Sequence, residues 1–416
     1  MRTKQFSQFI LFYTLSVCWV CTLSVSATRG EALAETPPMG WNSWNWWGKE
    51  AIHEKLMRET IDAIVESGLR DAGYEYFVVD GGWRDVKLAE TGELLSHPKK
   101  FPSGMKALAD YAHSKGLKFG LHTVPGTHDC GGDEVGAWDV EEIHVNQFID
   151  WGVDFIKLDK CKFLLADEIP EKKWAKPWTE GWRQGDNLID SYTKWRNLLD
   201  ESPHPIVLSA SAYQYHEWYP VLTQMGRTTG DIGSLQWGGA QFDTGHQRAV
   251  MTIVDLNNQF AHHAGSGYWN DPDMMVTGEQ GLTLDQQRVH FALWCIMSSP
   301  LMLGNDPRNM TAEELAILTN RVAIEINQDP TEQGRRVHQE NGIEIWLKNL
   351  KNGDRAVLLF NRNASESRTA KLDFAAIGLQ KEHILFDIWE MKALGTVEAT
   401  YEVNLLPTSG QFLLLK

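Results

Sequence analysis

From about residue 36 the chain alternates short, almost wholly apolar runs with amphipathic stretches. The apolar runs fall at 74–80 (YEYFVVD), Lys118–Thr123 (KFGLHT), 154–159 (DFIKLD), 206–211 (IVLSAS) and 301–304 (LMLG). Between them, 54–67 (EKLMRETIDAIVES), 106–114 (KALADYAHS) and 140–151 place apolar residues at helical spacing. Strands that are apolar on both faces, each followed by a helix, predict a parallel sheet covered on both sides. Adding 38–44, 224–231 and 267–275 gives eight strand–loop units before about residue 325. Eight such units predict a (β/α)8 TIM barrel over 36–328 rather than an open doubly wound sheet. GWNSWNWWG lacks the glycine spacing of a dinucleotide-binding turn.

The pattern changes near Asn327-Gln328-Asp329-Pro330. Beyond it come short strand-like runs at 343–347, 356–360, His383–Asp387, 397–403 and 411–415, separated by turns such as Asn352-Gly353. They predict a small antiparallel β-sandwich over 331–416. No Pro/Ser-rich linker separates the two parts, so direct packing is expected. The sandwich reads more simply as a cap on the barrel than as a surface-assembly module.

The N-terminus follows another logic. Arg2 and Lys4 precede an apolar stretch from Phe9 to Val25, and Val25-Ser26-Ala27 has the small-residue pattern of a signal-peptidase site, with Ala32-Leu33-Ala34 as a second candidate. The stretch is short for a membrane span and dotted with Ser and Thr. Residues 1–27 therefore read as a signal peptide, and the protein as exported to a secreted or periplasmic location, with no membrane span after cleavage. Cleavage removes Cys18 and Cys21 and leaves Cys130, Cys161 and Cys295. An odd count in an oxidising compartment allows one bridge and one spare thiol. Cys295 lies in the apolar run FALWCIMSS and reads as a buried small hydrophobe, which leaves Cys130 and Cys161 as the pair. No Cys/His cluster has zinc spacing.

Composition narrows the partners. The formal charge of −16 excludes the basic footprint that nucleic acid requires. The 18 Trp serve equally as core or as indole faces for sugar rings. Barrel enzymes carry their chemistry at the C-terminal ends of strands, and those ends supply Asp80, His122, Asp159, Ser211, Asp231 and Asp273. One such carboxylate alone is more often a cap or an ion-pair partner; four on one rim point to a site. Lys157 and Asp159 alternate onto the same face of a strand, where an ammonium favours an ionised carboxylate suited to nucleophilic attack. Arg227 precedes Asp231 in RTTGD, close enough to orient a substrate hydroxyl. Two acids in different surroundings are what glycoside hydrolysis uses, one attacking the anomeric carbon and one protonating the leaving oxygen. Spacing in sequence leaves open whether the outcome is retention.

TPPMGWNSW at 36–44, KLDKC at 157–161, WNDPDM at 269–274 and INQDP at 326–330 resemble glycoside hydrolase family 27, the melibiase-type α-galactosidases and α-N-acetylgalactosaminidases. The resemblance runs from about 36 to 330 and continues more weakly through the C-terminal part. It implies a barrel plus sandwich, no cofactor or metal, and a retaining double displacement on a terminal α-galactoside. Position by position, it implies that Asp159 is the nucleophile and Asp231 the acid/base. Trp44 would stack on the sugar, and Asp80, Lys157, Arg227 and Asp273 would contact it. Cys130 and Cys161 match a bridge beside the nucleophile.

Three departures bear on specificity. Asp80-Gly81-Gly82-Trp83 stands where the family usually has Asp-Asp-Cys-Trp, so one sugar-binding carboxylate is missing, and Asp85 is a candidate replacement. His122 stands where Tyr is frequent. Ser209-Ala210-Ser211-Ala212-Tyr213 lacks the usual Cys-Glu-Trp, which puts recognition around the 2-position in question. These changes leave room for a β-L-arabinopyranosidase, which would need no hydroxymethyl pocket, or, with Ser211 at the 2-position, an α-N-acetylgalactosaminidase. A reading from another class is a non-catalytic carbohydrate-binding protein. Retention of Asp159, Asp231, Lys157 and Arg227 together argues against it.

Overall fold

The computed structural model describes residues 33–162, 186–233, 237–245, 247–279, 281–379 and 382–416; the expected signal peptide lies outside them. Eight parallel strands form one curled sheet: β1 Met39–Asn42, β2 Tyr76–Val79, β3 Lys118–Thr123, β4 Phe155–Asp159, β5 Val207–Ser211, β6 Met225–Arg227, β7 Trp269–Asp271 and β8 Leu301–Leu303. The strand order is β7-β6-β5-β4-β3-β2-β1-β8. A parallel bridge from Met275, just past β7, to Leu303 of β8 closes the ring, with the Met275 N–H donating to Met302 O at 2.7 Å. This is a (β/α)8 barrel.

Side-chain alternation explains both the apolar runs and the site. Tyr76, Val78, Phe155, Val207, Met225 and Met302 form the core inside the barrel. Phe77, Val79, Ile156, Leu158, Leu208 and Ala210 point outward and pack beneath the helices. The inward row of β4 is therefore Phe155, Lys157, Asp159, apolar at the bottom and ionisable at the top. Gly120 of β3 is demanded by this crowding: a Cβ there would lie 2.9 Å from Val78 Cγ2 and 3.0 Å from Phe155 Cβ. The expected helices appear as Glu54–Glu66, Gly104–Ser114 and Glu141–Trp151.

In the strand–loop unit at 224–231, β6 covers Met225–Arg227 and the Thr228 N–H still donates to Asp271 O at 2.9 Å. Beyond it the Ile232 N–H donates to Asp273 Oδ2 at 2.8 Å, so the loop part builds the rim.

After the barrel, strands β9 Arg335–Glu340, β10 Ile343–Asn349, β11 Arg355–Asn361, β12 Arg368–Asp373, β13 His383–Asp387, β14 Lys392–Val397, β15 Thr400–Leu405 and β16 Gly410–Leu415 form two antiparallel sheets. The larger has the order β14-β13-β16-β11-β10-β9, and β12 pairs with β15 in the smaller. The run expected as one strand at 397–403 spans the end of β14 at Val397, a turn at 398–399 and the first four residues of β15, and the two strands belong to different sheets. β11 is apolar on both faces because both are covered. Val357 and Leu359 fill the sandwich, while Ala356, Leu358 and Phe360 pack on the barrel. An ionic cluster built on the buried Glu344 ties the parts together: the half-buried Arg336 and Arg362 each pair with Glu344 of β10 and Asp255 of a barrel helix at 2.7–2.9 Å. No helix among the described residues is long and apolar enough to cross a membrane.

Candidate active site

At the C-terminal rim of the barrel lies a cavity of about 620 Å³, within the usual range for a small-molecule site. Trp44, Asp80, His122, Lys157, Asp159, Arg227, Asp231 and Asp273 all line it, so the barrel brings together eight of the nine candidates read from the sequence. The ninth, Ser211, is not in its lining. It sits opposite Asp159 in the β4–β5 register. Its side chain lines an adjoining cavity of about 20 Å³, which shares Lys157, Arg227 and Asp273 with the main one. Asp85 is also absent from the lining; its carboxylate accepts the Val86 N–H at 2.7 Å.

The charges are organised in pairs. Lys157 Nζ donates to Asp80 Oδ2 at 2.7 Å, and Asn42 Nδ2 donates to the same oxygen at 2.9 Å. Burial alone would raise the Asp80 pKa, but the Lys157 ammonium, His122 and the Gly81 N–H hold it well below the usual carboxylate range. The Lys157 ammonium, expected to serve Asp159, thus makes its hydrogen bond to Asp80. Its charge acts on Asp159 as well, since Asp80 and then Asp159 are the leading charges that raise the Lys157 pKa against burial. Across the cavity, Arg227 Nη2 lies 3.0 Å from Asp273 Oδ2 and 3.1 Å from Asp231 Oδ1. Burial pulls the Arg227 pKa down, and Asp273, Asp231 and Asp271 together more than reverse it.

Asp273 has φ of 87°, a left-handed conformation that strains a non-glycine residue. Its surroundings over-determine it. The Asp273 N–H donates to Asp271 Oδ1 at 2.8 Å, its own Oδ1 accepts the Met274 N–H at 2.8 Å, and its carbonyl accepts Trp294 Nε1–H at 3.1 Å.

Asp159 is held differently. Its Oδ2 lies 3.3 Å from His122 Nε2, whereas its Oδ1 is buried with no hydrogen-bond partner. Asp231 is more open, its side chain 29% exposed against 11% for Asp159. Trp44 presents its indole at the mouth, 42% exposed. Tyr213, which sequence reasoning did not single out, also lines the cavity. It has φ of 63°, and its ring centroid lies 5.9 Å from the Arg227 guanidinium carbon. Burial pushes its phenol well above the normal range, and Asp159 and Asp231 add to the shift. Its place directly after an inward-facing strand end was the available signal.

Among the described residues, one set of three potential metal donors is close enough to share an ion: His122, Asp159 and Cys161. Cys161 is bonded to Cys130, so its sulfur offers no thiolate. The disulfide places Cys130 on the cavity wall, with its sulfur 3.9 Å from the Tyr213 hydroxyl. Cys295 is free and buried.

Opening the bridge releases a loop with a sequence separation of 31, a loss of roughly 3–4 kcal/mol on chain-entropy grounds. Because Cys161 is two residues from Asp159, reduction is expected to lower activity together with Tm. Alkylation without reductant, on the chain lacking residues 1–27, is expected to modify Cys295 alone, and only after denaturation. Intact-mass analysis showing three modified thiols would contradict the bridge.

The family model described as Alpha galactosidase A matches residues 36–329. The model of the alpha galactosidase C-terminal beta sandwich domain matches 340–415. An alpha-galactosidase of Oryza sativa subsp. japonica is 35% identical over 351 residues, covering 83% of this chain and 76% of the relative. Alpha-galactosidase A of Cellvibrio japonicus is 35% identical over 388 residues, covering 91% and 90% respectively. The crystal structure of alpha-galactosidase I from Mortierella vinacea superposes with a TM-score of 0.83 at 27% identity, covering 93% of this chain and 98% of that one.

Proposed function

The chain belongs to the melibiase-type α-galactosidase family of glycoside hydrolases, and from that premise we propose that it releases terminal α-galactosyl residues by a retaining double displacement. The observation that carries the reading is the pair of acids facing one cavity in unlike settings. Asp159 is nearly enclosed with one oxygen unengaged, and Asp231 stands at the more open side beside Arg227. In the first step an Asp159 oxygen forms a bond to the anomeric carbon as the glycosidic C–O bond breaks, and Asp231 gives its proton to the departing oxygen. In the second, Asp231 takes a proton from water as that water's oxygen bonds to the anomeric carbon and frees Asp159. Arg227 is already neutralised by Asp273, so its charge opposes protonation of Asp231 less than an unpaired guanidinium would. Asp80 and Lys157 are poised to hold sugar hydroxyls, and Trp44 to stack on the ring's apolar face.

The disulfide supports the reading of the protein as exported, since such bonds persist in oxidising compartments. Turnover of an aryl glycoside panel with matched leaving groups tests the activity, and any turnover excludes a purely sugar-binding role. Ser211 lends no support to the N-acetylgalactosaminidase reading, because it does not line the cavity.

One observation favours a β-L-arabinopyranosidase as the second reading: Asp85, the candidate replacement for the carboxylate missing at Gly81, does not line the cavity. A Cβ at Gly81 would lie 3.5 Å from Trp44 Cζ3 and 4.0 Å from His122 Cε1, ordinary contacts that leave room for a side chain. A charged hydrogen bond contributes about 1.5–3 kcal/mol. Gly81→Asp is therefore expected to raise kcat/KM for an aryl α-galactoside by roughly tenfold or more while leaving the aryl β-L-arabinopyranoside unimproved. The wild type is expected to prefer the galactoside by at least about tenfold, or about 1.4 kcal/mol. A reversed wild-type preference would establish the arabinopyranosidase instead.

A further inference from the structure

Arg84 is a buried cation that the reaction scheme above does not use. Its backbone is fixed by a short antiparallel contact: Arg84 bridges Ser96, the Asp85 N–H donates to Leu95 O at 2.7 Å, and the His97 N–H donates to Trp83 O at 2.7 Å. Trp83 Nε1–H donates to the His122 carbonyl at 3.0 Å, which docks the segment on β3. The Arg84 side chain is 3% exposed. Burial lowers its pKa, and Asp129 and Asp80 lead the carboxylates that offset the shift. Its Nη1 donates to Thr123 Oγ1 at 3.3 Å, and its Nη2 lies 3.5 Å from His122 Nδ1.

We infer that Arg84 is a positioning residue for Asp159, acting through His122, and that it leaves Oδ1 of Asp159 as the attacking oxygen. A guanidinium has donors and no acceptor. Where it meets an imidazole nitrogen, that nitrogen must accept. His122 Nδ1 is therefore the unprotonated nitrogen, and the ring proton resides on Nε2. Nε2 faces Asp159 Oδ2 at 3.3 Å and donates to it. With Oδ2 engaged, Oδ1 is left without a hydrogen bond of its own in the buried site, where the Tyr213 phenol is the other group that acts on the carboxylate. The opposite tautomer would put a lone pair against Oδ2, repelling the carboxylate and losing its orientation. The charged groups around the imidazole are consistent with this assignment. Arg84 lies on one side and Asp159 on the other, Lys157 is the register partner on β4, Asp80 interacts electrostatically with the ring, and Asp129 sits behind Arg84.

The inference rests on Asp159 being the nucleophile, and the tautomer can be read without turnover. In ¹⁵N NMR of histidine-labelled protein, with the His122 signals assigned by their loss in His122→Gln, the wild type is expected to show Nε2–H and an acceptor Nδ1. An Nδ1–H tautomer in the wild type overturns the proposal, whether or not the enzyme turns over. Arg84→Met is expected to lower kcat by roughly 10–100-fold with KM little changed, the range typical of removing an outer partner that fixes an imidazole tautomer. The ¹⁵N signals of His122 in Arg84→Met are expected to show loss of the single Nε2–H tautomer. Arg84→Lys, which restores a donor, is expected to recover part of kcat. A lower Tm with kcat and the His122 tautomer unchanged in Arg84→Met would reduce Arg84 to a structural role. Should Arg84→Met not fold, the wild-type NMR together with Arg84→Lys still decides. Normal tautomer behaviour in an enzyme that turns over no glycoside would instead reject the catalytic reading.

Discussion

Asp159→Asn is expected to remove turnover while leaving the fold intact. The substitution is isosteric, and an amide oxygen still accepts from His122 Nε2, the one hydrogen bond that Asp159 makes in the structure besides its contact with Tyr213. The Lys157–Asp80 pair that braces the neighbouring wall does not involve it. Tm and circular dichroism should therefore change little, and galactose should still bind. An amide is a far weaker nucleophile than a carboxylate, so kcat should fall on the order of 10⁴-fold or more, as when a covalent nucleophile is removed elsewhere. The wild type should release α-galactose first, seen by proton NMR before mutarotation. The smaller Asp159→Gly opens space for azide on the face that Asp159 occupied. Attack from there, with Asp231 protonating the leaving oxygen, yields the β-azide, of inverted configuration. If the wild-type product first appeared as the β-anomer, the double displacement would be wrong.

Much of this site was legible because a barrel converts sequence order into position. Runs such as DFIKLD combine outward Ile156 and Leu158, which need covering helices, with inward Lys157 and Asp159, which can reach only the rim. Reading strand ends therefore found Asp80, His122, Asp159, Asp231 and Asp273, all of which line the cavity. Other features could not be read that way. Arg84 lies in an aperiodic segment and becomes relevant only when β2 and β3 pair and bring it beside His122. The Lys157–Asp80 contact joins β4 to the end of β2 across β3, a separation of 77 residues that no local spacing reports. Ser211 has the right parity and is the register partner of Asp159, yet it lines only the small adjoining cavity. In the sandwich, β9 (RRVHQE) and β12 (RTAKLD) passed unnoticed because their exposed faces dilute the apolar pattern. The apparent strand at 397–403 arose from merging the end of one sheet with the start of the other.

Asp231→Ala is expected to produce a defect that grows with the basicity of the leaving group. A dinitrophenolate departs without help, so kcat/KM for that galactoside should stay near the wild-type value. A methyl or sugar leaving group needs its oxygen protonated, and there the loss should reach about 10²–10⁴-fold, the usual contribution of a general acid. The second step suffers as well, because no base activates water. A substrate with an activated leaving group should therefore give a burst and accumulate the galactosyl-enzyme on Asp159. Azide, which needs no base, should restore turnover and yield the α-azide, of retained configuration, opposite to the azide product expected from Asp159→Gly. The fold should tolerate the change, since Arg227 keeps its 3.0 Å contact with Asp273 and its hydrogen bond to the Thr229 carbonyl. The alkaline limb of the kcat/KM profile should also flatten, because the proton lost there in the wild type is the one Asp231 donates. A loss of equal size for every leaving group, with no burst and no effect of azide, would make Asp231 a substrate-binding carboxylate and would require another acid on the rim.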